Sequence, residues 1–204
     1  MYRVVIPVFP GVEELDAVGP FEVFALAAEK DPSVAVVLAN ATPGSRVRCA
    51  HGMCLGDLPV FEPRGGWDLV VVPGGAWITG GETGVRRMVS DGVLAPKLAE
   101  AAALGATVSS VCTGAFLLEA AGLLAGLPAT THTAAIADLR ALGVESIEGY
   151  RVVDCGKVVT AGGITSGLDL GLWMLRRDVD PELAGRVAET LNYPVPERVF
   201  QGGC

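Results

Sequence analysis

Short apolar runs alternate with longer stretches of helical period along the chain. Arg3–Val8 is rich in Val and Ile and predicts a first buried strand, closed by Pro10-Gly11. Leu15–Ala28 then sets Leu15, Val18, Val23, Phe24 and Leu26 at helical spacing. Val34–Ala39 predicts a second strand, and Asn40–Phe61 is irregular, with Pro43-Gly44 and Gly52 suggesting a hairpin or small edge strands. Trp67–Val72 predicts a third buried strand, halted by Pro73-Gly74-Gly75. A long helix is predicted over Met88–Ala103 despite Pro96, followed by a fourth buried strand at Thr107–Val111 and a helix over Gly114–Ala121. Ala129–Thr131 predicts a short strand and Ala134–Leu142 a helix. Tyr150–Asp154 and Lys157–Thr160 flank Cys155-Gly156 as a hairpin. Ile164–Arg176 and Pro181–Leu191 are the closing helices, the second with Pro in its first turn.

Buried strands that alternate with helices predict a doubly wound α/β domain, a mostly parallel sheet covered on both faces. Neither an internal repeat nor a linker interrupts the pattern, so residues 1–204 are expected to form one domain. Ligands of such folds bind beyond the carboxyl ends of the strands, near the switch in strand order. Three strand-leaving loops should therefore converge: Phe9–Asp16, Pro73–Trp77 and Cys112–Gly114.

Composition narrows the choice of partner. Fifteen Lys and Arg against 23 Asp and Glu give a net charge of −8, which disfavours nucleic acid, because such binders must neutralise phosphates. The N-terminus lacks the basic start and cleavage site of a signal peptide. Ala101–Leu118 is an uncharged run of membrane-spanning length, but Gly105, Thr107, Ser109, Ser110, Thr113 and Gly114 punctuate it. It reads as helix end, buried strand and helix start, so no membrane partner is expected. Cysteines at 49, 54, 112, 155 and 204 are odd in number and form no framework, which predicts reduced thiols in the cytoplasm. A mean hydropathy of +0.46 predicts apolar surface beyond what one small domain hides, hence a homodimer.

Candidate chemistry sits in the three loops. In Ser109–Phe116 an apolar strand runs into Cys112 and then small residues, an arrangement like a nucleophile elbow. The dipole of the following helix is expected to favour the thiolate and set its pKa below that of a free thiol. A small buried hydrophobe is the other reading of Cys112, and the local sequence alone leaves both open. Pro73-Gly74-Gly75 offers amides that could face a developing negative charge, or simply an ordinary turn. Asp16, between Leu15 and Ala17, is expected to point inward as an acid or base, whereas Glu13 and Glu14 read as exposed capping acids. His132 is one of two histidines and reads either as the base of a Cys–His pair or as a structural residue. Cys49, His51 and Cys54 supply three soft ligands without a fourth, so no metal is expected. Gly80–Gly84 lacks the Lys and Ser/Thr of a phosphate loop.

Together these loops resemble the ThiJ/PfpI superfamily, which shares the flavodoxin-like, class I glutamine-amidotransferase-like fold. The likeness rests on Phe9-Pro10-Gly11, Glu14-Leu15-Asp16, Val72-Pro73-Gly74-Gly75, Val111-Cys112-Thr113-Gly114, Thr130-Thr131-His132 and the run Thr160–Gly167. Leu15-Asp16 with Gly19-Pro20 and Cys112-Thr113-Gly114 is similar to the isocyanide hydratase branch. That resemblance implies Cys112 as nucleophile toward the isocyanide carbon, a thioimidate intermediate, and release of an N-substituted formamide. It implies Asp16 as the acid/base group bonded to Cys112, Thr113 as an aid to proton transfer, and the Gly75 and Thr113 amides as the oxyanion site. It also implies a small-molecule substrate, no cofactor and a homodimer.

The chain departs from relatives of that type in three places. PfpI-type peptidases have His after the nucleophile, where Thr113 stands here. Related transcription regulators add a DNA-binding half, and this sequence stops at Cys204. The hydratases have an aromatic after the His of Thr131-His132, where this chain has Thr133. A glyoxalase- or deglycase-like enzyme acting on reactive carbonyls is the alternative activity, and a ligand- or redox-sensing domain the non-enzymatic one.

Overall fold

The computed structural model describes residues 1–44 and 46–202; of the five cysteines, Cys204 lies outside them. The buried runs form strands β1 (Tyr2–Val8), β2 (Val34–Asn40), β5 (Leu69–Val72), β6 (Thr107–Val111) and β8 (Val158–Ala161). These five lie in parallel in the order β2-β1-β5-β6-β8. Two more strands extend the β8 edge. β7 (Val152–Cys155) runs antiparallel to β8, and β9 (Phe200–Gln201) pairs in parallel with β7. The irregular segment after β2 does contain a small separate hairpin, β3 (Arg46–Arg48) with β4 (Cys54–Gly56).

The helices are α1 (Glu14–Lys30), α2 (Val85–Asp91), α3 (Leu94–Ala103), α4 (Ala115–Ala120), α5 (Ile136–Ala141), α6 (Ser166–Asp178) and α7 (Pro181–Leu191). α1, α6 and α7 pack on one another, and α2, α3 and α4 form a second group, so the sheet is covered as a doubly wound fold requires. Close approach of α1 to α6 depends on two glycines one turn apart. A Cβ on Gly167 would come within 2.9 Å of Pro20, and one on Gly171 within 2.9 Å of Val23. This packing fixes the helix whose first turn carries Asp16.

Several predicted elements change form. The single helix over Met88–Ala103 is two helices, because Gly92 takes a left-handed φ of +64° and ends α2. Pro96 is then tolerated, since it falls in the first turn of α3, where its missing N–H had no partner to lose. Ala129–Thr131 is not a strand but a single parallel bridge from Ala129 to Ser146. The helix predicted from Gly114 begins as a 3-10 turn, Cys112–Gly114. β9 has only two residues and no periodicity, so no pattern announced it. The uncharged stretch 101–118 is divided among α3, β6, the 3-10 turn and α4, and no described helix is long and apolar enough to cross a membrane.

Strand order reverses direction between β1 and β5: β2 lies on one side of β1, while β5, β6 and β8 follow on the other. The loops leaving β1, β5, β6 and β8 therefore meet at one edge of the sheet.

Candidate active site

β6 is buried along its whole length and delivers Cys112 to that edge. Cys112 takes a left-handed φ of +56°, a conformation costing a non-glycine residue about 1–2 kcal/mol. Its neighbours hold it there. The Cys112 amide donates to Gly162 O at 2.7 Å, beyond β8, and its carbonyl accepts from Thr131 Oγ1 at 2.8 Å. A Cβ on Gly114 would lie 2.2 Å from Val72 O, so only glycine lets the chain turn so close to β5. The expected elbow is present.

Asp16 is fully buried in the first turn of α1. Its Oδ2 accepts from the Gly74 amide at 2.9 Å, while Oδ1 is buried without a well-formed hydrogen bond. Burial lifts the Asp16 carboxyl from 3.8 to about 8; the Gly74 amide lowers it, the Glu13 charge raises it further, and the bond with Cys112 lowers it. The Cys112 thiol is also pushed well above its ordinary value, first by burial and then by the Asp16 charge, against which the Thr113 amide and hydroxyl act. Desolvation and the neighbouring carboxylate thus act against the lowered thiol value expected from the turn motif, and α4, with six residues, is short. Cys112 and Asp16 form a buried, hydrogen-bonded pair in which desolvation raises both groups.

Gly74 is the keystone of this contact. A Cβ there would come 2.6 Å from both the Thr113 amide N and Oγ1, and 2.8 Å from Asp16 Oδ2. Gly75, at φ +140°, leaves room for the Gly11 carbonyl and the Glu13 amide. The Gly75 amide donates to Thr113 Oγ1 at 3.0 Å, so in this structure the donor that the resemblance assigns to the oxyanion site is engaged by the threonine hydroxyl.

His132 lines the same cleft but acts as a cap. Its Nδ1 accepts from the Ala134 amide at 3.2 Å at the start of a 3-10 turn, Thr133–Ala135. A neutral ring bonded this way carries its proton on Nε2 and faces a ligand as a donor, not as a base. The cleft has a volume of about 140 Å³, and its walls also include Glu13, Trp77, Ile78 and Ile164. None of these four was assigned a site role from sequence. Trp77 stood at the end of a marked loop, but nothing in the sequence showed that its ring would stack on Phe116, with centroids 3.6 Å apart and planes at 11°. Its Nε1 donates to Asp138 Oδ2 at 2.7 Å, and Arg86 lies 4.1 Å over the ring.

Glu13 and Glu14 are not exposed capping acids: neither caps α1 with its side chain, and both are partly buried. Glu14 Oε1 accepts from the His51 amide at 2.8 Å, and Glu13 Oε2 lies 3.1 Å from His51 Nε2. Among the described residues, Glu13, Glu14 and His51 are the group close enough to share a metal ion, and neither Cys49 nor Cys54 belongs to it. A larger cleft, about 720 Å³, opens at the opposite end of the sheet. In it Arg177 pairs with Asp154 at 2.9 Å, the Tyr2 hydroxyl donates to Asp178 at 2.9 Å, and Lys157 donates to Gly105 O at 2.7 Å. The smaller cleft is the one that holds a buried thiol beside a displaced carboxyl.

The family model for the DJ-1/PfpI family matches residues 2–177. The chain is 37% identical over 195 residues to an isonitrile hydratase of Pseudomonas putida, covering 96% of this chain and 79% of that one. Its fold is similar to a ThiJ/PfpI family protein from Pseudomonas syringae, with TM-score 0.79 and 26% identity, covering 97% of this chain and 77% of the other. It is also similar to oxidized DJ-1 from Toxoplasma gondii, with TM-score 0.78 and 25% identity over 95% of this chain and 99% of that one.

Proposed function

The chain belongs to the DJ-1/PfpI family, and from that premise we propose that it hydrates a small isocyanide to an N-substituted formamide through Cys112. The observation that carries this reading is the buried Cys112–Asp16 pair on the strained elbow. An isocyanide carbon needs a soft nucleophile and a proton delivered as the new bond forms. The Asp16 carboxylate takes the thiol proton while sulfur bonds to the terminal carbon, and returns that proton to the same carbon. The product of this step is a thioimidate, R–N=CH–S–Cys112. Water then adds to the carbon, one of its protons passing by way of Asp16 to the nitrogen. The C–S bond breaks, the other water proton returns to sulfur, and R–NH–CHO leaves with the thiol restored. A carboxyl titrating near 8 suits both proton steps, because it exchanges protons readily at neutral pH. Thr113 bridges the centre, its amide facing the sulfur and its hydroxyl holding the Gly75 amide.

His132 does not favour the carbonyl alternative, because its Nδ1 lone pair is already engaged by a hydrogen bond from the Ala134 amide. The test compares cyclohexyl isocyanide with methylglyoxal, following formamide and lactate. Formamide is expected, and it is expected to vanish in Cys112→Ser. Lactate without formamide would replace this reading by a glyoxalase. Neither product, with a small molecule raising Tm, would replace it by a sensing domain.

A further inference from the structure

The cleft above Cys112 is electrostatically one-sided. Among the described residues that line it, only Glu13, Cys112 and His132 can ionise, and none is Lys or Arg. Arg86 is the cation stacked on Trp77, and it is already committed: its Nε donates to Trp77 O, and its guanidinium lies 3.6 Å from Asp138 Oδ2.

Glu13 is held over the cleft by its backbone. Its amide donates to Gly74 O at 2.9 Å, in the space that Gly75 leaves by lacking a Cβ. The side chain is only 16% exposed, whereas His51, its ion-pair partner among the described residues, is 74% exposed on the solvent side. The negative charge is therefore fixed at the wall, and its countercharge is present only when His51 is protonated. Its field already reaches the reaction centre, since it raises the Asp16 carboxyl.

We infer that Glu13 sets the charge class of the substrate: the cleft admits neutral or cationic electrophiles to Cys112 and rejects anionic ones. As a statement about isocyanides this rests on the hydratase reading; as a statement about the cleft it does not. A like charge entering a partly shielded pocket meets repulsion that falls slowly with distance, and a discrimination of about tenfold or more is expected. Compounds whose electrophilic carbon sits beside a carboxylate or phosphate are thereby disfavoured.

Two measurements test the two layers separately. The first alkylates Cys112 with iodoacetamide and with iodoacetate at about pH 7, where Asp16 is mostly protonated, and follows the Cys112 peptide by mass spectrometry. The ratio of the two rates is divided by the same ratio for N-acetylcysteine. The expected preference for the neutral reagent is about tenfold or more in the wild type, shrinking as salt is raised and falling about tenfold in Glu13→Gln. A wild-type ratio equal to that of N-acetylcysteine, or one unaffected by both salt and Glu13→Gln, overturns the inference. The wild-type salt series decides the matter even if Glu13→Gln does not fold.

The second measurement compares kcat/KM for ethyl isocyanoacetate with that for isocyanoacetate. Turnover of the ester at least about tenfold above the anion supports the charge class. Equal turnover overturns it and leaves the hydratase reading standing. No turnover of either, with the alkylation preference intact, overturns the hydratase reading and leaves the charge selection of the cleft.

Discussion

Replacing Asp16 with Asn removes a charge that the fold holds at a cost, and the pH dependence of that cost is measurable. In the folded chain burial lifts the Asp16 carboxyl from 3.8 to about 8. Between those values the folded state keeps the proton and the unfolded chain has released it. The folded state then binds more protons than the unfolded one, so stability falls as pH rises through this window. Below pH 3.8 both states are protonated and the contribution is complete; above about pH 8 both are ionised and it is lost. At about 1.4 kcal/mol per pH unit, the three units from pH 5 to 8 amount to about 4 kcal/mol.

Asn stays neutral throughout, so Asp16→Asn should gain on the wild type by about 2–4 kcal/mol over that interval. Asn also brings an NH₂ toward the site of Oδ1, which lacks a well-formed partner, and that offsets the variant by a constant of about 1–3 kcal/mol. The slope of the difference with pH, and not its absolute value, is therefore the readout. Urea unfolding of both proteins at half-unit intervals from pH 5 to 8 supplies it, with Tm moving by roughly 4–15 °C in parallel. Other carboxyls titrate alike in the two proteins and cancel. Parallel stability curves would refute the buried, proton-holding Asp16 and with it the acid/base assignment. Activity should move the other way, falling about 10²-fold or more in the variant at every pH.

Three further outcomes are expected. Gly74→Ala should lower stability by about 1–3 kcal/mol and abolish most activity, because its Cβ would meet Thr113 and Asp16 at 2.6–2.8 Å; a melting curve and a formamide assay read the two effects. His132→Ala should reduce kcat by about tenfold or less, far less than Asp16→Asn, and the reverse ranking would reinstate a Cys–His mechanism. The chain should sediment at micromolar concentration at twice its 21.0 kDa mass, as a homodimer expected from its apolar content would; a monomer boundary would refute that.

Much of the frame was legible in the sequence, because strand burial and helical period are local properties of composition. The runs that became β2, β5 and β8 are mostly Val, Leu and Ala, β1 has a Val-Val-Ile centre, and β6 mixes Val with small Ser and Thr, a pattern that suits a sheet covered on both faces. Cys112 could be placed at a turn because small residues follow an apolar strand, and Asp16 could be placed inward because apolar neighbours flank it. α7 was readable from its opening Pro181 to Leu191, and the structure adds Asp180 as its cap. The break between α2 and α3 was missed because Gly92 and Pro96 each have more than one meaning until the flanking turns are built.

The chemistry of the site was decided elsewhere. The sign of the Cys112 shift depends on how deeply the thiol is buried and on a carboxyl 96 positions away, and neither distance nor desolvation can be read from a turn motif. The Gly75 amide found its hydrogen-bond partner in Thr113, 38 positions away, and the His132 ring in the Ala134 amide, and residue type alone could foretell neither. Glu13 looked like a solvated cap and became a wall of the cleft, because the Gly74 carbonyl captures its amide and draws the backbone inward. Sequence thus determined which side chains could reach the strand ends. Tertiary structure decided which of them lost water, and loss of water is what sets a protonation state.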